Sequence, residues 1–217
     1  MTHWIDLSQD LYDGMPHASV HPKPSFETLT CVADDGINVT QYTAVTHVGT
    51  HIDAPRHLVE GGRTIDDFEV GFFAGSGVVV DVSRDEPTKI SLEEFQSAPG
   101  DVKPDDIVLI YTGWCHKYGN DNYDPHPWLS TKLAKWLVER DVRLVGIDTI
   151  TPDLPGLFRE EEWNKYPVHR TLLGNGVLIA EHLGGLDAVA GERLAIRAFP
   201  LKIRGGDGAQ TRIVARR

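Results

Sequence analysis

Nearly continuous apolar runs recur along the chain between polar segments, and this pattern predicts strands that are covered on both faces. Such runs are typical of buried strands in a parallel sheet, and three of them read G-V-V-V-D-V, D-I-V-L-I-Y-T and R-L-V-G-I-D. Enrichment in β-branched and aromatic residues extends the set of predicted strands. The strand candidates are 26–32, 37–47, 77–82, 106–112, 142–148, 177–181, 196–203 and 210–215.

Helical periodicity predicts two clear helices and a shorter third one. Ser91 and Glu94 form a capping box at the start of the first helix, over 91–95. The second helix, 129–140, is capped by Ser130, and its apolar residues recur at spacings of three and four. A third helix is predicted over 167–174. Because the second helix lies between two buried-type strands, it favours a βαβ unit, and the class is α/β or α+β in one domain.

Charge and composition exclude several classes of function. The chain of 217 residues has a formal net charge of −11, which argues against binding nucleic acid or an anionic membrane surface. No stretch approaches 18 consecutive apolar residues, so no transmembrane helix is predicted, and no signal peptide is evident. Cys31 and Cys115 lie far apart in the sequence, so we expect reduced thiols in a cytoplasmic protein.

One short segment, residues 46–57, concentrates residues that bind metals. It reads T-H-V-G-T-H-I-D-A-P-R-H and holds three of the ten histidines of the chain. Imidazoles combined with a carboxylate suit Zn²⁺, Mn²⁺, Co²⁺ or Fe²⁺. A set without thiolate that leaves positions open for water favours a catalytic site over a structural one. A polar turn without any ligand is the alternative that the spacing alone leaves open.

An extended backbone would place the polar residues of this segment on one side of a strand. His47, His51 and Asp53 are separated by even numbers of residues, so in a strand they point the same way. Gly49 would then leave an open space between the two imidazoles for an ion. The proline that follows would turn the chain and bring His57 back toward the same place.

The segment H-V-G-T-H-I-D-A-P-R-H resembles the H-x-G-T-H-x-D-x-P-x-H signature of the cyclase-like metal-dependent hydrolases, a family that includes bacterial kynurenine formamidase and isatin hydrolase. The resemblance continues in D-L-S-Q-D-L-Y-D-G-M-P, Y-T-G-W, L-V-G-I-D-T and P-L-K-I-R-G-G-D-G. It implies one domain over 1–217, of β-rich α/β class and swivelling β/β/α architecture, with a mixed sheet and few helices. It also implies a homodimer or homotetramer.

The resemblance further implies two divalent ions, Zn²⁺ or Mn²⁺, and ligands for each. The first ion would be bound by His47, His51 and Asp53, and Asp53 would also bridge to the second ion. In the family, a histidine and a glutamate twelve residues apart complete the second site, and His169 and Glu181 have that spacing here. The predicted helix start and strand end would bring these two residues together at one end of the sheet.

The reaction that the resemblance implies is metal-dependent hydrolysis of the carbon–nitrogen bond of a small-molecule amide, most directly an aryl formamide. Metal-activated hydroxide would attack the carbonyl carbon, and His57 corresponds to the proposed acid/base residue. The same groups would open a cyclic amide, an imide or a lactone. A non-catalytic metal-binding protein is the alternative from another class. His182 is a rival ligand to Glu181, although strand alternation predicts that it points away.

One segment departs from the family pattern, and a second segment is individual to this chain. The formamidases often read I-D-T-P-S-x-D after the central strand, whereas this chain reads I-D-T-I-T-P-D at 147–153. The difference lies in a loop expected near the substrate and leaves the substrate open. Further on, the run Glu160–Glu162 is predicted to be solvated, and Phe158, Trp163 and Tyr166 would either pack or line a pocket.

Overall fold

The computed structural model describes residues 3–159 and 165–217, so the predictions for Glu160–Glu162 and Trp163 fall outside the described residues. The strands are β1 (Ile5–Asp6), β2 (Ser25–Thr30), β3 (Val39–Thr43), β4 (His51–Asp53), β5 (Ala74–Asp81), β6 (Lys89–Ile90), β7 (Ile107–Tyr111), β8 (Trp128–Leu129), β9 (Leu144–Ile147), β10 (Leu178–Glu181), β11 (Arg193–Pro200) and β12 (Gly208–Arg216). The helices are α1 (Val32–Asp35), α2 (Leu92–Ser97), α3 (Thr131–Glu139) and α4 (Pro167–Gly174).

A mixed sheet curls into a closed barrel. Within the described residues its order is β1-β12-β11-β5-β7-β9-β10-β4, and a second pairing of β12 with β4 closes a ring of seven strands. The neighbours β5, β7, β9 and β10 run parallel, so their carboxyl ends meet at one rim. Strand β4 runs antiparallel to both β10 and β12. Any side chain at the start of β4 therefore lies at the same rim as the end of β10.

Alternate residues of the central strands pack into two separate cores. In β7, Ile107 and Leu109 face the barrel interior, whereas Val108 and Ile110 face the helices. Leu133 of α3 belongs to the second core. Because both faces of these strands are buried, the sequence shows continuous apolar runs instead of alternation. The predicted βαβ unit is confirmed as β7–α3–β9, with the two strands parallel.

Local signals at the helix starts have the predicted geometry. The Ser91 hydroxyl accepts a hydrogen bond from the backbone N–H of Glu94, whose carboxylate accepts one from the backbone N–H of Ser91. The Ser130 hydroxyl caps α3 by accepting from the backbone N–H of Leu133. Helix α4 has the predicted bounds. Within the described residues, no helix combines the length and the apolar character needed to cross a lipid bilayer.

Several predicted strand boundaries are wrong. The strand predicted over 26–32 ends at Thr30, because the chain turns into α1 and the Asp35 carboxylate accepts a hydrogen bond from the backbone N–H of Cys31. The next strand ends at Thr43 instead of residue 47. The strand predicted over 196–203 runs from Arg193 to Pro200, and a proline cannot donate to the ladder.

Candidate metal centre

Three elements bring the predicted ligands together at the rim where the parallel strands end. The antiparallel pairing of β4 with β10 sets His51 opposite Glu181. Asp53 is two residues further along β4 and is completely buried. Helix α4 packs next to β10 and carries buried His169 in its first turn. The fold therefore assembles residues from the first and last quarters of the chain, as the spacing of His169 and Glu181 predicted.

Two imidazoles and two carboxylates form a closed ring of contacts. His51 Nε2 lies 3.2 Å from Asp53 Oδ1 and 3.3 Å from Glu181 Oε2. His169 Nε2 lies 3.3 Å from Asp53 Oδ2 and 3.2 Å from Glu181 Oε1. Each imidazole nitrogen thus faces one oxygen from each carboxylate. His47 approaches from the loop before β4, and its Nδ1 lies 2.7 Å from Asp53 Oδ1.

Several atoms at the centre of this ring have no hydrogen-bond partner in the described part of the chain. They are His51 Nε2, Asp53 Oδ2 and Glu181 Oε1, all buried. The nitrogen–oxygen distances around the ring are short, but the atoms are not aligned for hydrogen bonds. Leaving one buried polar group unsatisfied costs about 1–3 kcal/mol, so a cluster of them is unfavourable without a ligand. The donor set of imidazole nitrogens and carboxylate oxygens fits divalent cations.

The electrostatics of the ring also favour bound positive charge. Burial opposes the charged form of His51, but the carboxylates of Asp53 and Glu181 raise its pKa to about 10. Burial likewise opposes ionisation of Asp53, yet the neighbouring His51 and His47 hold its pKa well below the usual value. The carboxylates of Asp53 and Glu181 therefore stay ionised, and they favour the positively charged form of the neighbouring His51. A divalent ion that displaced the imidazole protons would occupy the same electrostatic position.

His57 lies next to the ring of contacts. It ends the 3-10 turn Pro55–His57, so the proline returns the chain as predicted. Its ring centroid is 3.9 Å from that of His47 and 5.9 Å from that of His169. Burial is the main cause that lowers the pKa of His57. The imidazole is therefore neutral near pH 7 and able to accept a proton.

The predicted backbone of residues 47–53 is wrong in one respect. Strand β4 covers only His51–Asp53, and Gly49 adopts a left-handed φ of 60°, so the segment is not extended from His47 onward. A Cβ atom at Gly49 would lie 2.2 Å from Leu11 Cδ2 and 2.9 Å from Met15 Cε. The glycine therefore makes room for the N-terminal segment and leaves no open space for an ion.

Two aspartates that contact the predicted ligands were missed at the level of sequence. Asp153 Oδ2 accepts a hydrogen bond of 2.7 Å from His169 Nδ1. Asp207 Oδ2 lies 3.1 Å from His47 Nε2, and its Oδ1 accepts a hydrogen bond of 2.8 Å from the hydroxyl of Thr46. Both aspartates lie in segments that resemble the family pattern in full or in part, I-D-T-I-T-P-D and G-G-D-G. Neither has a histidine nearby in the sequence, so neither resembles a metal-binding motif.

His182 does not join the ring of imidazole–carboxylate contacts. Its Nδ1 lies 3.0 Å from the hydroxyl of Tyr123, and the two rings lie 5.6 Å apart. Burial, the largest cause, lowers the pKa of His182 to about 3. The side chain is therefore a neutral hydrogen-bonding group at the edge of the site.

A cavity of about 250 Å³ opens onto the centre. Beyond the ring, its walls include Ile150 and Thr151 of the divergent loop together with Tyr166, in agreement with the expectation that this loop lies near a substrate. Phe158 does not line the cavity; it packs against Trp128 with ring centroids 6.2 Å apart. The cavity is also lined by His57, His126, Glu181 and His182.

Comparison with known proteins adds independent information. Residues 5–154 match the family described as putative cyclase. A kynurenine formamidase of Geobacillus thermodenitrificans (strain NG80-2) is 33% identical over 219 residues, covering 100% of this chain and 99% of that protein. Both ends of the chain are thus included in the similarity, and the positions of the predicted ligands are part of the aligned length.

Solved structures share the fold. Isatin hydrolase A from Labrenzia aggregata, bound to benzyl benzoate, has a TM-score of 0.87 and 25% identity, covering 99% of this chain and 93% of that one. A structure described as a predicted metal-dependent hydrolase, from Bacillus stearothermophilus, has a TM-score of 0.79 and 28% identity, covering 99% and 98%. The predicted β-rich α/β architecture with a mixed sheet and few helices is thereby confirmed.

Proposed function

This chain belongs to the putative cyclase family, and from that premise we propose that it is a metal-dependent hydrolase that cleaves the carbon–nitrogen bond of an aryl formamide. The main support is the closed ring formed by His51, Asp53, His169 and Glu181 at the base of a cavity. The full-length similarity to a kynurenine formamidase supports the substrate class. The reaction consumes water and releases formate and an aryl amine.

We assign ligands to two divalent ions, Zn²⁺ or Mn²⁺. His47, His51 and Asp53 would hold the first ion, and His169 and Glu181 would hold the second. The orientation of Asp53 supports a bridging role, because its two oxygens face different imidazoles. When bound, the ions would acidify a water and neutralise charge that develops on the carbonyl oxygen.

The protein itself supplies a proton-transfer group, His57. Its imidazole borders the cavity beside the ring, and burial keeps it neutral by lowering its pKa. A neutral imidazole can take a proton from the attacking water and deliver it to the leaving nitrogen. The amide bond then breaks with the nitrogen already protonated, so that the amine leaves without a negative charge.

Metal removal tests the proposed function directly. Formanilide hydrolysis by the purified protein should disappear after treatment with EDTA and return on addition of Zn²⁺ or Mn²⁺. His51→Ala should bind metal at least ~10-fold more weakly, with an unchanged circular dichroism spectrum. Formate release that survives complete chelation would contradict the proposal.

Opening of a cyclic amide, imide or lactone is the second candidate function. It is favoured by the similarity in fold to isatin hydrolase A and by the divergent loop, whose Ile150 and Thr151 line the cavity. Formanilide, isatin and a lactone assayed in parallel separate the two. A kcat/KM for isatin well above that for formanilide would favour ring opening. A non-catalytic metal protein would bind Zn²⁺ and hydrolyse none of the three.

We also propose that the chain acts as a homodimer or homotetramer in the cytoplasm. Exposed apolar side chains on the β2–β3 hairpin support self-association, among them Leu29 and Tyr42. Cys31 and Cys115 are both free thiols, which is compatible with a reducing compartment.

A further inference from the structure

A second cluster of metal-binding side chains lies outside the centre described above. Cys115 and His116 belong to the 3-10 turn that follows β7, and Asp187 belongs to the 3-10 turn Leu186–Val189 that follows β10. The cysteine sulfur, a histidine ring nitrogen and a carboxylate oxygen of the three residues lie within 4.8 Å of one another. The fold thus brings together three donors that are distant in sequence.

The surroundings of this cluster carry negative charge. Buried Asp148 lies beside Cys115, and its Oδ2 accepts a hydrogen bond of 3.3 Å from the backbone N–H of that cysteine. Burial, together with Asp148 and Asp187, raises the pKa of the Cys115 thiol to about 12. Burial, together with Cys115 and the carboxylates of Asp187 and Asp148, raises the pKa of Tyr111 to about 12. A cation at this position would offset the negative charge of the Asp148 and Asp187 carboxylates and would favour loss of the thiol proton.

We propose that Cys115, His116 and Asp187 form a third cation site, selective for zinc-like divalent ions. One sulfur, one nitrogen and one oxygen donor make a borderline-soft set that suits Zn²⁺ or Cd²⁺ better than Mn²⁺. Metal binding would displace the thiol proton into solvent and leave a thiolate–metal bond. This site is independent of the proposed hydrolase centre and would tie the turn after β7 to the turn after β10.

The geometry needs only small side-chain movements to bind an ion. Tetrahedral zinc bonds of ~2.0–2.3 Å hold donor atoms ~3.3–3.6 Å apart. His116 and Asp187 are exposed, so rotation of their side chains can close the remaining gap around the buried sulfur. The Tyr111 hydroxyl lies 3.2 Å from His116 Nε2 and can orient the imidazole.

Cadmium titration tests this site, because a thiolate–Cd²⁺ bond absorbs in the ultraviolet whereas imidazole and carboxylate ligands of Cd²⁺ do not. The full-length protein is first loaded with Mn²⁺ and then titrated with Cd²⁺. We expect a charge-transfer band whose final amplitude corresponds to one thiolate–Cd²⁺ bond per chain, because Cd²⁺ that replaces Mn²⁺ at the imidazole and carboxylate ligands adds no such band. Cys115→Ser should abolish the band, and the matched control Cys31→Ser should retain it. His116→Ala and Asp187→Asn should each weaken Cd²⁺ binding ~10-fold or more.

Several outcomes would overturn the proposal. They are the absence of a band in the wild-type protein, a band that persists in Cys115→Ser, and a band that is lost only in Cys31→Ser. If Cys115→Ser fails to fold, Asp187→Asn decides, because that residue is exposed. His51→Ala should keep the full band, so failure of the hydrolase centre and failure of the third site give different results.

Discussion

Asp53 is the residue on which the candidate centre depends most, because its two carboxylate oxygens serve different neighbours. Oδ1 lies 2.7 Å from His47 Nδ1 and 3.2 Å from His51 Nε2, whereas Oδ2 lies 3.3 Å from His169 Nε2. The residue is fully buried, so water cannot compensate its charge. A buried carboxylate requires such a set of positive partners, and this requirement explains why so many histidines gather around one side chain.

His57 gives the first prediction at this scale. Replacing it with glutamine removes the proton-transfer group, so kcat for formanilide should fall by ~100-fold or more. The ligands that we assign to the two ions do not include His57, so the metal content measured by mass spectrometry should stay the same. Exposed His3 offers a matched control, since His3→Gln should leave kcat unchanged. A His57→Gln variant with nearly wild-type turnover would exclude the proton-transfer role.

His126 gives a second prediction, about recognition of the amide nitrogen. Its Nδ1 lies 2.9 Å from the carbonyl oxygen of Pro127, and a carbonyl only accepts, so Nδ1 carries the proton and Nε2 is an acceptor. Burial lowers the pKa of His126 and keeps it neutral, and the residue lines the cavity. We expect its Nε2 to accept a hydrogen bond from the substrate N–H.

The measurement compares two substrates. Leaving a buried donor unpaired costs about 1–3 kcal/mol, so His126→Phe should reduce kcat/KM for formanilide ~10-fold or more. N-methylformanilide has no N–H, so the wild-type protein should hydrolyse it with a smaller kcat/KM than formanilide. His126→Phe should change that kcat/KM little. An equal loss for both substrates would show that His126 acts on packing and not on the amide nitrogen.

Helix α4 shows how one element is positioned together with its functional residue. The carboxylate of Asp153 accepts hydrogen bonds from the backbone N–H groups of Val168 and His169, at 2.9 and 3.0 Å, at the start of the helix. The same carboxylate accepts the hydrogen bond from His169 Nδ1. The residue therefore caps the helix and fixes the orientation of the imidazole at the same time.

Asp153→Ala should consequently have two separate effects. Loss of the cap should lower the free energy of unfolding of the metal-free protein by ~1 kcal/mol, measured by urea denaturation. Loss of the hydrogen bond to His169 should weaken Zn²⁺ binding by ~10–100-fold, measured against a competing chelator. A variant with reduced stability but unchanged Zn²⁺ affinity would mean that Asp153 only caps the helix.

Elements with strong local patterns could be predicted from the sequence, and elements that depend on distant pairing could not. The buried strand β7 follows from its continuous apolar run, and α2 and α3 follow from their serine caps. In contrast, β4 has only three residues, and it exists because it pairs with both β10 and β12. Leu11 and Met15 lie so close to Gly49 that they leave no room for a side chain there, and no pattern within residues 46–57 reveals this contact.

At the scale of the whole molecule, closure of the barrel brings the residues of the candidate metal centre together. Residues 208–210 at the start of β12 pair with β4, while the rest of that strand pairs with β11. This long-range closure carries Asp207 to His47 and holds β4 against β10. Local periodicity contains no information about such a pairing. In the sequence, the predicted ligands from the first and last quarters of the chain are connected only by the resemblance to the family signature and by the spacing of His169 and Glu181.

The β2–β3 hairpin lies outside the barrel and has an exposed apolar surface. It forms a separate two-stranded sheet, and Leu29 and Val39 are 49% and 39% exposed. A hairpin without further cover is only marginally stable, and exposed apolar clusters mark sites of association. We therefore expect a second copy of the chain to cover the hairpin.

Light scattering after size-exclusion chromatography tests this expectation. The wild-type protein should have the mass of two or four chains. Leu29→Lys combined with Val39→Lys should reduce that mass toward a single chain, because two charges would be buried in the interface without partners. Val70→Lys is the matched control, since Val70 is 70% exposed but lies on another element, and it should leave the mass unchanged. A wild-type protein that remains a single chain at high concentration would rule out self-association through the hairpin.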